Sequence, residues 1–251
     1  MDMAHGNLVL LACFLFCRWS SAAVFQSSDF GTSLIELFSS EGCSSCPPAD
    51  EWLARLRKDA GLWKEFVPVE FHVDYWNRLG WHDPFSKAAF TSRQNQYASE
   101  WGGSNVYTPA FVLNGQEWKV GALGVRQIPK REGSVVGTLT VVESKNRNFE
   151  VSFQPKTISA HQWNVTGALL GNGLVSKILS GENGGRTLSH EFVALTLETR
   201  PLTKLGEKFV ANLTLASSLK VSSLSFAVWV SQDQSQRPIQ AVGGDLISRS
   251  E

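Results

Sequence analysis

The sequence predicts an α/β domain followed by an all-β, sandwich-like domain. Strand-like and helix-like patterns alternate up to about residue 129, a hairpin signal lies near the end of that series, and only short strand-like runs follow it. The chain has 251 residues and is 43% hydrophobic and 18% charged, so it has enough apolar side chains to bury two cores. We expect the α/β domain over residues 33–129 and the β domain over residues 130–251, after a polar lead-in at 24–32.

The first series is strand, helix, strand. It begins with an apolar run at 33–38, and the helical spacing that follows ends at Gly61. Pro47 and Pro48 fall near the start of this helix, where a missing N–H costs little. Between 67 and 75, apolar and polar residues alternate, which predicts a second strand. The apolar positions of the helix are Ala49, Leu53, Leu56 and Ala60.

A second helix and a hairpin complete the predicted α/β domain. Asp83-Pro84 is a favourable N-cap and N1 pair for the helix. Thr108-Pro109 precedes a strand at 110–113, and Asn114-Gly115 is a strong hairpin signal before a partner strand at 116–120. The predicted inward face of the helix consists of Phe90, Gln94, Tyr97 and Trp101.

After about residue 129 the pattern changes to short alternating or β-branched runs separated by polar turns. This region has no convincing helical spacing and no cysteine. Such runs are typical of an antiparallel β-sandwich. The six predicted strands lie at 137–142, 148–153, 163–170, 192–198, 209–216 and 224–230.

The first 23 residues have the features of a secretory signal peptide. Their apolar run spans only residues 8–17, whereas a membrane helix needs about 20 residues. Ala22 and Ala23 supply small side chains for cleavage. No Lys or Arg precedes the run, so a buried first strand or helix is the alternative. We expect a periplasmic or secreted protein with no stable membrane span.

Cys43 and Cys46 would be the only cysteines left after cleavage, in the sequence Cys43-Ser-Ser-Cys46. A disulfide between them closes too small a loop to staple the fold, so the pair is a redox or metal candidate. A helix that begins at Cys43 would place its sulfur at the positive end of the helix dipole, which stabilises a thiolate. We expect Cys43 to attack a substrate and Cys46 to resolve the mixed disulfide.

Thr108 and Pro109 are the predicted substrate-positioning residues. A cis-proline opposite a C-x-x-C pair can hold a peptide in an extended form beside the sulfurs. The position of Pro109, directly before a strand and a hairpin, favours this role.

The strand at 34–38, the two cysteines and the segment 108–115 resemble the thioredoxin superfamily over about residues 33–121. Three longer segments, at 35–50, 72–85 and 181–190, resemble the exported thioredoxin-like family called domain of unknown function 1223. The resemblance implies a thioredoxin-like half, a β half and no established substrate.

The resemblance also concerns Glu36. Because thioredoxins carry a buried acid on the first strand, the resemblance implies that Glu36 accepts the Cys46 proton. The alternative is a solvated or salt-bridged Glu36. Gly42 departs from the usual pattern, in which an aromatic residue precedes the first cysteine.

Six further side chains are candidates, the two tryptophans for substrate binding and the other four as accessory residues. A His-x-Asp pair on one strand face could lie near the sulfurs or form a structural hydrogen-bonded network. Two tryptophans could line a substrate groove or pack in the core. An Arg and a His in a Gly-rich segment could line the cleft or belong to a long inter-strand loop. These residues are His72 and Asp74, Trp76 and Trp81, and Arg186 and His190.

The sequence favours an exported thiol–disulfide oxidoreductase that acts on protein or small thiol and disulfide substrates. A copper or zinc carrier that uses the same cysteines is one alternative, and a non-catalytic secreted binding protein is another. We expect no cofactor and assign no metal ligand. With Lys+Arg and Asp+Glu at 23 each, the net charge is zero, which argues against a nucleic-acid partner.

Overall fold

The computed structural model of the protein describes residues 22–119, 128, 133–158 and 161–247. Strands make up 46% of the structure, in several sheets, and only two short α-helices accompany them in the described part. The fold is rich in β-structure, so the predicted α/β thioredoxin-like domain is wrong.

The helices α1 and α2 are Pro47–Arg55 and Ala88–Glu100. The described strands, β1 to β15 in chain order, are Ala23–Gln26, Ser33–Ser39, Phe66–His72, Ala110–Leu113, Gln116–Glu117, Gly137–Glu143, Asn148–Pro155, Trp163–Asn172, Leu174–Lys177, Thr187–His190, Val193–Pro201, Thr203–Leu205, Lys208–Thr214, Ser223–Gln232 and Pro238–Leu246.

One eight-stranded sheet contains strands from both halves of the chain, in the order β15-β14-β8-β11-β3-β2-β4-β5. Every residue of β2 and β3 is buried, and these strands pair in parallel. The other edge of β3 is paired in parallel with β11 at Val193 and Glu70. This pairing joins strands of the two predicted domains into one mixed sheet. Local patterning does not reveal it, because the paired residues are distant in sequence.

A second sheet has five strands, in the order β1-β6-β7-β13-β12. Its apolar side chains, including Phe149 and Leu213, form one buried core with β8, β14 and β15 of the large sheet. The predicted lead-in contributes β1, and Phe25 of this strand packs edge-on against Phe226, with ring centroids 4.7 Å apart. β9 and β10 form a separate antiparallel pair.

The first helix begins at Pro47, with Cys46 as its N-cap, and not at Cys43 as expected. A helix that began at Cys43 would need an N–H of residue 47 to bond the Cys43 carbonyl, and proline has none. The Cys43 carbonyl instead accepts hydrogen bonds from the Cys46 N–H and from the side chain of Asn183.

The second helix begins at Ala88, and not at Pro84. The Asp83 carboxylate accepts the Phe85 N–H and also contacts His72, so it holds a turn that precedes the helix. Phe90 and Tyr97 of the predicted face are completely buried, and Gln94 is 5% exposed.

Most of the predicted signal peptide and the predicted domain boundary at 129–130 lie outside the described residues. Within the described part, neither helix has the length and apolarity needed to cross a membrane.

Candidate functional site

Cys43 and Cys46 lie in the turn between β2 and α1, residues 40–46, which we call the cysteine turn. The two residues form a disulfide. Both side chains are completely buried. The Ser45 hydroxyl lies 3.3 Å from the Cys43 sulfur. Because the two cysteines are three positions apart, their bond connects no distant parts of the chain.

Residues 180–186, between β9 and β10, form a loop that bonds to the cysteine turn; we call it the contact loop. Asn183 is 1% exposed, and its side-chain amide donates to the backbone carbonyls of Glu41 and Cys43, both at 2.9 Å. These bonds satisfy two carbonyls that precede the helix, and they anchor the loop beside the disulfide.

Two charged residues of the contact loop support this arrangement. The Arg186 guanidinium donates to the Asn183 side-chain oxygen at 2.8 Å, which orients the amide toward the cysteine turn. The Glu182 carboxylate accepts the Ser44 N–H at 3.1 Å, and hydrogen bonds from the Ser44 side chain and backbone lower the pKa of Glu182. The predicted accessory residue Arg186 therefore reaches the cysteine turn through Asn183.

A group of titratable side chains lies in the interior where α1, β3 and β10 meet; we call it the buried cluster. Glu70 Oε1 lies 2.9 Å from His72 Nε2 and 3.2 Å from His190 Nδ1. Asp50 Oδ2 lies 4.0 Å from His190 Nδ1, and Asp50 Oδ1 accepts the Ser39 hydroxyl at 2.6 Å. The buried cluster consists of Asp50, Glu70, His72 and His190, none more than 2% exposed.

Two more carboxylates contact the other nitrogens of the histidines. Asp83 Oδ2 lies 2.6 Å from His72 Nδ1, and Glu41 Oε1 lies 3.5 Å from His190 Nε2. Asp83 also accepts the Glu41 N–H at 2.8 Å. Each imidazole therefore lies between two carboxylates.

This arrangement shifts the pKa values of the cluster. Burial and the charge of Glu70 raise the pKa of Asp50 to about 8. Burial opposes the charged forms of both histidines, but the facing carboxylates raise the pKa of His190 to about 9 and that of His72 well above its usual value. Burial also opposes ionisation of Glu70, but the charge of His190 and hydrogen bonds from both histidines lower its pKa to about 2.

Glu36, the predicted proton acceptor, lies on the other face of the sheet from α1. Its carboxylate accepts the Arg93 Nε–H at 2.6 Å and the Tyr97 hydroxyl at 2.5 Å. Both oxygens are engaged with residues of α2, so the structure matches the salt-bridged alternative in its contacts. Asp50, one turn beyond Cys46, is the carboxyl on the cysteine side.

The remaining predicted residues fall into two sets. The Trp76 indole donates to Thr108 at 2.8 Å, and the Thr108–Pro109 bond is cis. The Cβ and backbone oxygen of Trp76 lie beside Gly42, so Trp76 lies between Thr108 and the cysteine turn. The Trp81 indole donates to Glu41 at 2.8 Å, at the edge of the buried cluster.

Asp74 is not brought to the cluster. Strand β3 ends at His72, so the expected strand face does not extend to Asp74. Its carboxylate instead accepts the Thr91 hydroxyl at 2.6 Å.

Sequence reasoning missed Asp50, Glu70, Asp83 and Asn183. The alternation that places Glu70 on the same face as His72 was a usable signal, as was the i, i+4 spacing of Cys46 and Asp50. Nothing local distinguishes Asn183 from an ordinary loop residue, because its role depends on a contact 140 positions away.

The fold and site define a β-rich protein with a buried Cys-Ser-Ser-Cys disulfide beside a histidine–carboxylate cluster. The sequence model of the family described as protein of unknown function, DUF1223, matches residues 34–231. The chain belongs to this family. Comparison with curated proteins gives no match.

Two solved structures are similar in fold. Protein AGR_C_4864 from Agrobacterium tumefaciens is 23% identical, with a TM-score of 0.60 over 90% of this chain and 98% of that one. HBP35 of Porphyromonas gingivalis is 16% identical, with a TM-score of 0.63 over 88% of this chain and 76% of that one. At these identities, the likeness concerns the fold alone.

Proposed function

We propose that the protein is a thiol–disulfide oxidoreductase that uses Cys43 and Cys46. The supporting observation is that these residues form a disulfide that joins only neighbouring positions, so it adds little to the cross-linking of the fold. A bond of this kind is more useful as a reversible redox couple than as a staple.

The reaction is an exchange of two electrons. In the reduced protein, the Cys43 thiolate attacks a substrate disulfide, forms a mixed disulfide and releases one substrate sulfur as a thiolate, which takes a proton from solvent. Cys46 then loses its proton to solvent and attacks the Cys43 sulfur. This step breaks the mixed disulfide and releases the second substrate thiolate, so that the protein is oxidised and the substrate reduced. The reverse sequence oxidises a substrate dithiol.

Access to the sulfurs requires movement, because both cysteines are completely buried. The contact loop bonds directly to the cysteine turn, through Asn183 and Glu182. Most of its other residues are exposed, so it can leave the turn without breaking a core. In this proposal, opening of the loop admits the substrate, and Trp76, Thr108 and Pro109 border the exposed turn.

An oxidised cysteine pair suits an oxidising compartment, which fits the proposal of a periplasmic or secreted protein. Its partners would be proteins or small molecules that carry a thiol or a disulfide.

The test is mixed-disulfide trapping with a peptide that contains one internal disulfide. The reduced Cys46→Ser variant should accumulate a covalent adduct at Cys43, whereas the Cys43→Ser variant should not, because its remaining thiol is the resolving one. The unmodified protein should turn over the peptide with glutathione as electron donor. Equal turnover by the double variant Cys43→Ser/Cys46→Ser would contradict the proposal and favour a non-catalytic role. Thiols protected from alkylation only by stoichiometric copper or zinc would favour a carrier.

A further inference from the structure

The ligand-type atoms of the buried cluster already lie at distances suited to a single metal ion. One ligand atom each of Glu70, His72 and His190 lies within 4.8 Å of the others, and Glu70 Oε1 lies 2.9 Å from His72 Nε2 and 3.2 Å from His190 Nδ1. With metal–ligand bonds of about 2.0–2.2 Å, the ligands of a tetrahedral ion lie about 3.3 Å apart. Only small rotations of these side chains separate the structure from that geometry.

The residues behind the histidines also have the arrangement found around metal ligands. A ligating imidazole usually donates its other N–H to a carboxylate or carbonyl, which fixes the ring orientation. Here the outward nitrogen of His72 lies 2.6 Å from Asp83, and that of His190 lies 3.5 Å from Glu41 without a hydrogen-bond partner. Asp83 is itself fixed by two backbone N–H groups, and the second oxygen of Glu41 accepts the Trp81 indole.

Several buried atoms at the cluster have no hydrogen-bond partner. Asp50 Oδ2 and Glu70 Oε2 are both orphaned, and Asp50 Oδ2 points toward His190. A buried carboxylate oxygen without a partner is costly, so such atoms need an explanation. Among the described residues, the ion-pair partners of these carboxylates are the two histidines alone.

We infer that the buried cluster is a binding site for one divalent transition-metal ion. His72 Nε2, His190 Nδ1 and Glu70 would be three ligands, and Asp50 would supply the fourth through its unpartnered oxygen. Two imidazoles and two carboxylates favour zinc-like ions over magnesium or calcium, which prefer oxygen ligands throughout. The cysteines are not ligands, so this site is independent of the proposed redox function.

The ligands come from three separate parts of the chain. α1 supplies Asp50, β3 supplies Glu70 and His72, and β10 supplies His190. A bound ion would therefore tie the helix after the cysteine turn to the strand after the contact loop. Because the binding free energy contributes to folding, the ion should stabilise this junction.

The test is equilibrium dialysis of the oxidised protein against Zn²⁺, followed by measurement of bound metal. We expect a single equivalent in the unmodified protein and in Cys43→Ser/Cys46→Ser, which lacks the thiols. Glu70→Gln, which preserves size, should weaken binding by about tenfold or more. His161→Gln is the matched control, because His161 is an exposed histidine that pairs with Asp233 away from the cluster. The inference would be overturned if the unmodified protein and Cys43→Ser/Cys46→Ser bound no Zn²⁺. It would also be overturned if Glu70→Gln and His161→Gln lost Zn²⁺ binding to the same extent.

Substitution of Co²⁺ keeps the test decisive if Glu70→Gln fails to fold. The unmodified protein should give the visible bands of low-symmetry cobalt coordination without the near-ultraviolet band of a cobalt–thiolate bond. The thiolate band, or no cobalt spectrum at all, would overturn the proposed ligand set.

Discussion

The two faces of the eight-stranded sheet each bury an ionic group, and the groups are built differently. On the α2 face, Glu36 has one guanidinium and one phenol as partners, and both its oxygens are bonded. On the α1 face, the two histidines of the buried cluster face more carboxylates than they can neutralise, and several atoms are unbonded.

This difference separates a structural group from a candidate site. A buried ion pair in which each group satisfies the other needs no additional ligand. Its importance for stability shows mainly when one partner is removed, because the other charge is then buried without a partner. A buried group with unpaired atoms and strongly shifted pKa values is a better candidate for function. Glu36, which a family resemblance favoured, falls in the first class, and Asp50, which no motif marked, falls in the second.

The largest expected change in stability comes from breaking the buried Arg93–Glu36 ion pair. Arg93→Met should destabilise the protein by about 3–5 kcal/mol, because it leaves the Glu36 carboxylate buried without its cation. Denaturant unfolding measures this loss. Arg200→Met is the control, since the Arg200–Glu198 pair has a 60% exposed arginine, and a pair of this kind is worth about 0–1 kcal/mol. Similar losses in both variants would mean that the α2 pair is not special.

The next largest expected effect is stabilisation of the protein by a metal ion bound at the buried cluster. Zn²⁺ at about 100 times its dissociation constant should raise the free energy of unfolding by about 2.7 kcal/mol, because only the folded state assembles the ligands. Chelation should reverse the gain, as followed by thermal unfolding. Glu70→Gln should respond much less than His161→Gln. An equal response in both variants would place the ion elsewhere.

A smaller effect concerns the contact loop. Asn183→Ala removes two hydrogen bonds to the cysteine turn and should speed reduction of the disulfide by dithiothreitol about tenfold, which corresponds to about 1.4 kcal/mol. Asn212→Ala, an exposed asparagine of β13, should leave the rate unchanged. If the two variants react alike, the contact loop does not limit access to the sulfurs.

The smallest effect is expected at alkaline pH. Burial, with Glu36 nearby, raises the pKa of Tyr97 well above its usual value, and burial also raises the pKa values of Tyr75 and Tyr107 to about 12. A raised pKa in the folded state gives stability that is complete below the unfolded pKa of about 10 and is lost as pH rises through the folded value. Stability should therefore fall above pH 10.

Tyr97→Phe is the variant that checks this dependence. It should show a shallower fall in unfolding free energy between about pH 10 and 12 than the unmodified protein. Absorbance of tyrosinate should appear mainly with unfolding. A normal tyrosine titration in the folded protein would contradict the expected pKa values.

The sequence revealed local features better than long-range ones. The strand at 33–38 and the helical spacing from Ala49 were readable because apolar periodicity is a local signal. The pairing of β3 with β11 was not readable, since it joins Glu70 to Val193 and depends on the whole sheet. Strand β10 has no strand signal in the sequence, because three of its four residues are polar. The sequence consequently marks His190 as a candidate residue but does not reveal which side chains it contacts.

The order of the chain has a consequence for biogenesis. The cysteine turn is made early, whereas Asn183, which bonds to it, follows 140 positions later. Contacts of such long sequence separation form late in folding. During synthesis, the thiols of Cys43 and Cys46 would thus remain open to oxidants and partner proteins until the later part of the chain has folded. We therefore expect the two thiols to react fastest before Asn183 and the rest of the contact loop close over the cysteine turn.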